Sequence, residues 1–298
     1  MVASDIRCAD YSLCLPDGRT LAVMEVGPGD GKPVIHCHGH ASSRVELHIY
    51  EQAAARQGVR LLCFDRPGIG RSSPRDSFHI LDWPLDVAAA ADVLGLERFA
   101  VTGMSGGGIY ALACAYRIPQ RLTACGLIST MATADMIKSA GPAWMKRLWR
   151  FGERVPWVFW RQIHFKSWLR GTRVSGFEAQ VNDYARRLGE FDRATFRDTA
   201  FRNQLAQALF ESCRQGRQAN LMEAHDDFGF WGFRPQDVRC RNVIVWHGED
   251  DQLMPPETVR LLAQAIPGAR PIFLPREGHF SLPVGHMDEI LATLRDAA

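Results

Sequence analysis

No stretch of this chain strings together the roughly 18 apolar residues that a membrane-crossing helix requires. Its first residues, Met1-Val2-Ala3-Ser4-Asp5, have neither the basic segment nor the apolar core of a secretory leader. Cysteine pairs are missing too. Cys8, Cys14, Cys37, Cys63, Cys114, Cys125, Cys213 and Cys240 form no C-x-x-C motif, and most sit inside apolar runs. That spacing excludes a small disulfide scaffold and reads as buried, reduced thiols in a cytoplasmic protein. Charge of one sign is equally scarce: the formal net charge is +2, too small to imply nucleic acid as a partner. There is no internal repeat and no low-complexity tract. Gly106-Gly107-Gly108 lacks the following Lys-Ser/Thr of a phosphate-binding loop.

What remains is a globular chain of 298 residues, 46% of them hydrophobic, which is enough to bury a large core. Short apolar runs alternate with amphipathic stretches through the first 130 residues. Tyr11–Leu15 and Leu21–Val26 flank Pro16-Asp17-Gly18-Arg19 and read as a hairpin. Strand-like runs follow at Val34–Cys37, Val59–Phe64, Phe99–Thr102 and Leu122–Ile128. Helix-like stretches at Glu51–Gln57, Leu81–Leu96 and Ile109–Tyr116 separate them. This alternation predicts an α/β fold, a mostly parallel sheet with helices on both faces and an antiparallel edge from the opening hairpin.

The pattern changes near Met131. From 131 to 235 there are amphipathic helical stretches and no convincing strand. Alternation then resumes with Asn242–Trp246 (strand), Glu257–Ala265 (helix), Pro271–Leu274 (strand) and Met287–Leu294 (helix). The expected organisation is therefore one sheet domain, 1–130 plus 236–298, interrupted by an all-helical insertion at 131–235. The insertion is far too long to be a connecting loop.

The chemistry concentrates at Gly103-Met104-Ser105-Gly106-Gly107, a G-x-S-x-G motif lying between a strand candidate and a helix candidate. A sharp strand-to-helix turn lifts the serine Oγ above the sheet, and only small residues two positions away allow the chains to approach. On its own the motif fits a glycine-rich turn at the start of any helix equally well. A serine also needs a base, and the base an orienting carboxylate. Downstream, one strand runs into His247-Gly248-Glu249-Asp250-Asp251, and the next into Arg276-Glu277-Gly278-His279. Both segments would emerge at the same sheet edge as Ser105, where parallel sheets carry their sites.

Taken together these pieces resemble the α/β-hydrolase superfamily over essentially the whole chain. The matching segments are His38-Gly39, Asp65-Arg66-Pro67-Gly68-Ile69-Gly70-Arg71-Ser72, the turn at Ser105, Gly248-Glu249-Asp250-Asp251 and Gly278-His279. The resemblance implies a serine hydrolase, a capped, esterase-like member, with Ser105 as nucleophile, His279 as general base and Asp251 as the orienting acid. Asp250 and Glu249 then belong to a solvated turn, and Asp135 is the alternative acid. It implies an oxyanion hole from the main-chain N–H groups of Gly106 and His40. The His40 imidazole either lines the cleft or touches substrate. His36, His38 and His40 alternate along one run, but two of them fall on family positions, and a metal site also needs a converging cluster. No metal and no cofactor are expected.

The insertion resembles the helical cap of many such hydrolases. Trp144, Met145, Leu148, Trp149 and Val155 share one helical face, with Lys146, Arg147, Arg150 and Arg154 on the other. After Pro156 a second stretch carries Trp157, Trp160 and Trp168 with Arg161, Lys166 and Arg170. The apolar face packs on the core, walls a pocket, or rests on lipid, as basic amphipathic helices do. The pocket is the reading adopted, with Met104, Trp144, Trp149 and Trp160 as candidate substrate-binding residues and a small apolar molecule as partner. The expected activity is carboxylic ester hydrolysis. The same triad also serves lactone, thioester, amide or carbon–carbon hydrolysis and acyl transfer, and a hydrolase-fold binding protein is the remaining competitor.

Overall fold

The computed structural model describes residues 6–154 and 174–297. Strands β1 (Ile6–Cys14), β2 (Thr20–Pro28), β3 (Lys32–Cys37), β4 (Val59–Phe64), β5 (Phe99–Met104), β6 (Leu122–Ile128), β7 (Val243–Gly248) and β8 (Arg270–Leu274) form one sheet. Their order is β1-β2-β4-β3-β5-β6-β7-β8. β1 pairs antiparallel with β2, as the hairpin reading expects, and β2 antiparallel with β4; all later pairs are parallel. The fold is therefore that of an α/β-hydrolase.

The parallel strands read as continuous apolar runs because both faces of the sheet are covered. Successive side chains point to opposite faces, so Val34, Leu61 and Ala100 enter one core while Ile35, Leu62 and Val101 enter the other. Helices α1 (Glu51–Gln57) and α11 (Ser281–Asp296) close the first core. Helices α2 (Trp83–Val93), α3 (Gly107–Arg117) and α10 (Pro256–Ala265) close the second. Trp83 is completely buried there, its ring edge-on to both Phe64 and Tyr110.

Between β6 and β7 the described elements are all helical, with no strand among the described residues. They form α4 (Ala134–Ala140), α5 (Ala143–Arg154), α6 (Val174–Arg187), α7 (Glu190–Thr195), α8 (Thr199–Ser212) and α9 (Gln218–Phe228). This stretch has a small core of its own, in which Phe177, Val181, Phe196 and Phe201 pack with Phe280 of the sheet region. Two buried ion pairs join it to the sheet. Arg66 Nε lies 2.5 Å from Glu223 Oε1, and Arg44 Nη1 lies 2.8 Å from Glu211 Oε1. Arg66 also donates to the His38 carbonyl and lies over the Tyr110 ring, 4.2 Å from its centre. The segment 65–72 thus has a structural task. Asp65 accepts from the Arg44 main chain and guanidinium, both at 2.6 Å, and from the Arg71 amide.

The cysteines follow expectation only in part. Cys37, Cys63, Cys114, Cys125 and Cys240 are buried, and burial pushes the Cys37 thiol up to about 11. Cys8 and Cys14 are exposed, because β1 is an edge strand and only one of its faces packs. Among the described residues, no helix is long and apolar enough to cross a membrane.

A fully buried arginine left without its carboxylate is expensive. Glu223→Ala is therefore expected to lower unfolding stability by about 3–5 kcal/mol, read as a fall in the urea midpoint at unchanged slope. A loss below about 1 kcal/mol would mean that water reaches Arg66.

Candidate active site

The carboxyl ends of the parallel strands bring the candidate residues to one edge of the sheet. Ser105 follows β5 and has φ +54°, a left-handed backbone that a non-glycine residue adopts only under constraint. The constraint is backbone packing. A methyl group on Gly107 would lie 2.1 Å from the Cys37 carbonyl oxygen, and one on Gly103 would lie 2.2 Å from the Gly107 carbonyl oxygen. Only glycine lets the turn sit this tightly on the end of β3. The Ser105 amide is anchored to the Ile128 carbonyl at 2.9 Å, which leaves the side chain at the head of α3.

His279 lies beyond the end of β8 and is 3% exposed. Its Nδ1 is 2.8 Å from Asp251 Oδ2. The other oxygen of Asp251 accepts the Leu253 and Met254 amides, both at 2.8 Å, so the carboxylate is held from two sides. Burial opposes charge on the imidazole, yet the adjoining Asp251 carboxylate outweighs it and holds the His279 pKa above the usual histidine value. Burial likewise pushes Asp251 up, but the neighbouring imidazole brings it below the usual carboxylate range. Asp250 instead accepts the Arg276 amide, and Glu249 pairs with Arg260 at the surface. Asp135 is almost fully exposed and pairs with Lys138. Of the four carboxylates Asp251, Asp250, Glu249 and Asp135, only Asp251 touches His279.

Ser105 and His279 line a single cavity of about 290 Å³, with Met104 and His40 also in its wall. In this resting geometry Ser105 Oγ makes no hydrogen bond to His279; such contacts often tighten only around a substrate. The main-chain N–H groups of Gly106 and His40 have no acceptor among the described residues. The two residues pack closely, since a methyl on Gly106 would be 3.3 Å from the His40 nitrogen.

Residues 32–285 match the family model for the alpha/beta hydrolase fold. The chain belongs to the α/β-hydrolase family. One relative is a non-heme chloroperoxidase from Streptomyces lividans, 33% identical over 125 residues, which are 41% of this chain and 45% of that protein. The chain thus spans less than half the length of that relative. Among solved structures, it resembles the enol-lactonase from Burkholderia xenovorans LB400, with a TM-score of 0.67 at 20% identity, covering 96% of this chain and 99% of the other. It also resembles a thermophilic esterase from Thermogutta terrifontis, with a TM-score of 0.66 at 22% identity and 97% of both chains covered.

The tryptophans fall elsewhere than the helical pattern suggests. Trp144 is 57% exposed, and Trp149 is half-buried edge-on to Phe228; neither lines the cavity with Ser105. The face expected to be uniform is split. Met145 and Trp149 turn onto the core, whereas Trp144, Leu148 and Phe151 turn outward. Trp160, with Val155, Trp157, Trp168, Arg161, Lys166 and Arg170, lies outside the described residues. Among the described residues, the apolar wall comes from Val181 of α6, from Phe201, Leu205 and Leu209 of α8, and from Phe280. A larger open cleft of about 770 Å³, lined in part by Asp135, Phe230 and Arg234, contains none of Ser105, His279 and Asp251.

The three alternating histidines do not converge. His36 meets Glu46 at 3.0 Å, His38 meets Arg66 at 3.0 Å, and His40 Nδ1 lies 3.2 Å from Asp227 Oδ2. β3 ends at Cys37, so His38 and His40 lie beyond the strand. The His40–Asp227 approach is close but bent, and neither His40 Nδ1 nor Asp227 Oδ1 completes a well-formed hydrogen bond. Burial opposes a proton on His40, while the Asp227 carboxylate draws it up overall. His286 is half-buried against Glu277. Sequence reasoning missed two buried carboxylates, Asp227 beside Gly106 and Asp192 behind His279. Both lie on amphipathic helices whose acidic residues ordinarily face water, and no local pattern marks them.

An NMR titration of the His279 ring should give a pKa above the ordinary value of about 6.5. Asp251→Asn should lower it, because burial then acts with less opposition. An unchanged titration in the Asn variant would show that the Asp251 contact is not what holds the proton.

Proposed function

We propose that the chain is a serine hydrolase that cleaves a carboxylic ester of a small, largely apolar molecule through an acyl-enzyme. The single observation that carries the reading is the sharing of one cavity by Ser105 and the Asp251-paired His279, beside two unengaged main-chain N–H groups. In this reading His279 Nε2 takes the Ser105 proton as Oγ attacks the substrate carbonyl carbon. The amides of Gly106 and His40 receive the developing oxyanion. Asp251 stabilises the imidazolium, which then protonates the leaving alcohol. Water, deprotonated by the same imidazole, attacks the acyl carbon and releases the acid and free Ser105.

A cavity of about 290 Å³ suits a small molecule, and its aliphatic and aromatic lining favours an apolar acyl or alcohol group. Residues of α6 and α8 stand over the cavity, which supports treating 131–235 as a cap that walls the substrate pocket. Met104 contributes to the floor in the same reading. No step calls on a metal or an organic cofactor.

Ser105→Ala is expected to lower turnover of any hydrolysed p-nitrophenyl ester by at least about a thousandfold while leaving circular dichroism unchanged. A fluorophosphonate should label wild type at Ser105. Labelling at another residue, or full activity in the alanine variant, would refute the assignment. A panel of esters, lactones and thioesters then decides the bond class, and lactone turnover well above ester turnover would replace the ester reading.

Activity should rise with pH as His279 loses its proton, since only the neutral ring is a base. Its raised pKa puts the acid limb of kcat/KM above about pH 6.5. A limb centred below that value would contradict the assignment of His279 as base.

A further inference from the structure

We propose that Asp192, from the helical stretch between β6 and β7, is a positioning residue for His279, holding the backbone that presents the imidazole to the cavity. Its carboxylate accepts three consecutive main-chain N–H groups. Oδ2 accepts from His279 at 3.0 Å, and Oδ1 accepts from Phe280 at 2.8 Å and from Ser281 at 2.9 Å. The inference rests on the reading of His279 as the base.

The local chain makes this contact necessary. Helix α11 begins at Ser281, and the residue before it, Phe280, supplies no capping side chain. The first N–H groups of a helix have no partner within it and favour a negative charge. Asp192 meets that need from 89 residues away along the chain, and it is 1% exposed. The approach is as close as the backbone permits. A methyl on Gly278 would lie 2.5 Å from the carboxylate carbon and from both of its oxygens. Gly278 therefore serves less as a flexible joint than as the gap through which Asp192 reaches the histidine segment.

His279 is consequently held by two carboxylates with different tasks. Asp251, in the loop after β7, orients the ring through Nδ1. Asp192, on α7, fixes the main chain on which the ring is mounted. The same clamp fixes Phe280, whose ring meets those of Tyr184, Phe196 and Phe201 edge-on at centroid distances of 5.9, 5.2 and 6.1 Å. Tyr184, Phe201 and Phe280 all line the cavity with Ser105. A shift of α7 would thus be transmitted at once to the base and to one apolar wall. Four titratable groups act on the His279 ring: Asp251 and His247 from the β7 side, Asp192 from α7, and Glu46 from the 3-10 turn Arg44–Ile49.

The test uses the full chain. Asp192→Asn keeps the shape but replaces one accepting oxygen with an amide NH₂ that opposes a main-chain N–H. The expected result is a loss of about tenfold to a hundredfold in kcat for a model ester, with KM changed less than about twofold. Fluorophosphonate labelling of Ser105 should slow in parallel, and the His279 titration should move down, since one neighbouring negative charge is gone. Wild-type kcat, labelling rate and titration in a folded Asn variant would overturn the proposal, as would an effect confined to KM. If that variant does not fold, Asp192→Glu is the second arm. It keeps the charge but pushes one more methylene against Gly278, so kcat should fall while the His279 titration stays near wild type. Wild-type kcat in the Glu variant would overturn the proposal. Wild type that neither labels at Ser105 nor turns over an ester would sink the triad reading instead. The His279 titration would still report whether Asp192 acts on it.

Discussion

The arrangement of this active edge depends on a contact between backbones, that of the turn after β5 pressed against the end of β3. Two missing Cβ atoms, at Gly103 and Gly107, permit it. The turn holds Ser105 at φ +54° and packs Gly106 closely against His40. Strain of this kind, of order 1–3 kcal/mol, persists only where the surroundings over-determine it. Here they do: the Ile128 carbonyl holds the Ser105 amide, and the adjoining strands are buried on both faces.

Around that contact the site is organised by buried carboxylates, each with a different object. Asp251 holds the His279 ring, Asp192 holds the His279 backbone, Asp227 faces His40 and Glu223 neutralises Arg66. Three of these four come from the helical stretch between β6 and β7. That stretch therefore does more than shade the cavity, since charge and hydrogen bonding tie it to the sheet edge at several points. Burying so many carboxyl groups is unfavourable for each alone. They are tolerated because each meets a cation, an imidazole or main-chain N–H donors.

Much of the sheet could be read locally. β4, β6 and α1 match their predicted limits, because an apolar run flanked by polar or glycine residues is a local signal. The same holds for the turn at Ser105 and for the loops bearing Asp251 and His279, whose short spacings follow strand ends directly. The tryptophan reading of α5 failed for the opposite reason. Its residues alternate as an amphipathic helix should, but periodicity says which residues share a face and not what the face meets. Trp149 found Phe228 and the core, while Trp144 found solvent.

By itself, then, the sequence determined the strand and helix alternation, the glycine pattern that strains Ser105, and the order in which Ser105, the 248–251 loop and His279 follow one another, since each is written in contiguous residues. Only the tertiary structure decided that Asp251 and not Asp250 meets His279. It also decided that, among the described residues, valine, leucine and phenylalanine rather than Trp144 and Trp149 wall the cavity, and that Asp192 and Asp227 are drawn inside. Those outcomes turn on burial and on partners far away along the chain. A carboxylate on a helix is the same residue whether it faces water or an unpaired N–H group, until packing brings that group to it.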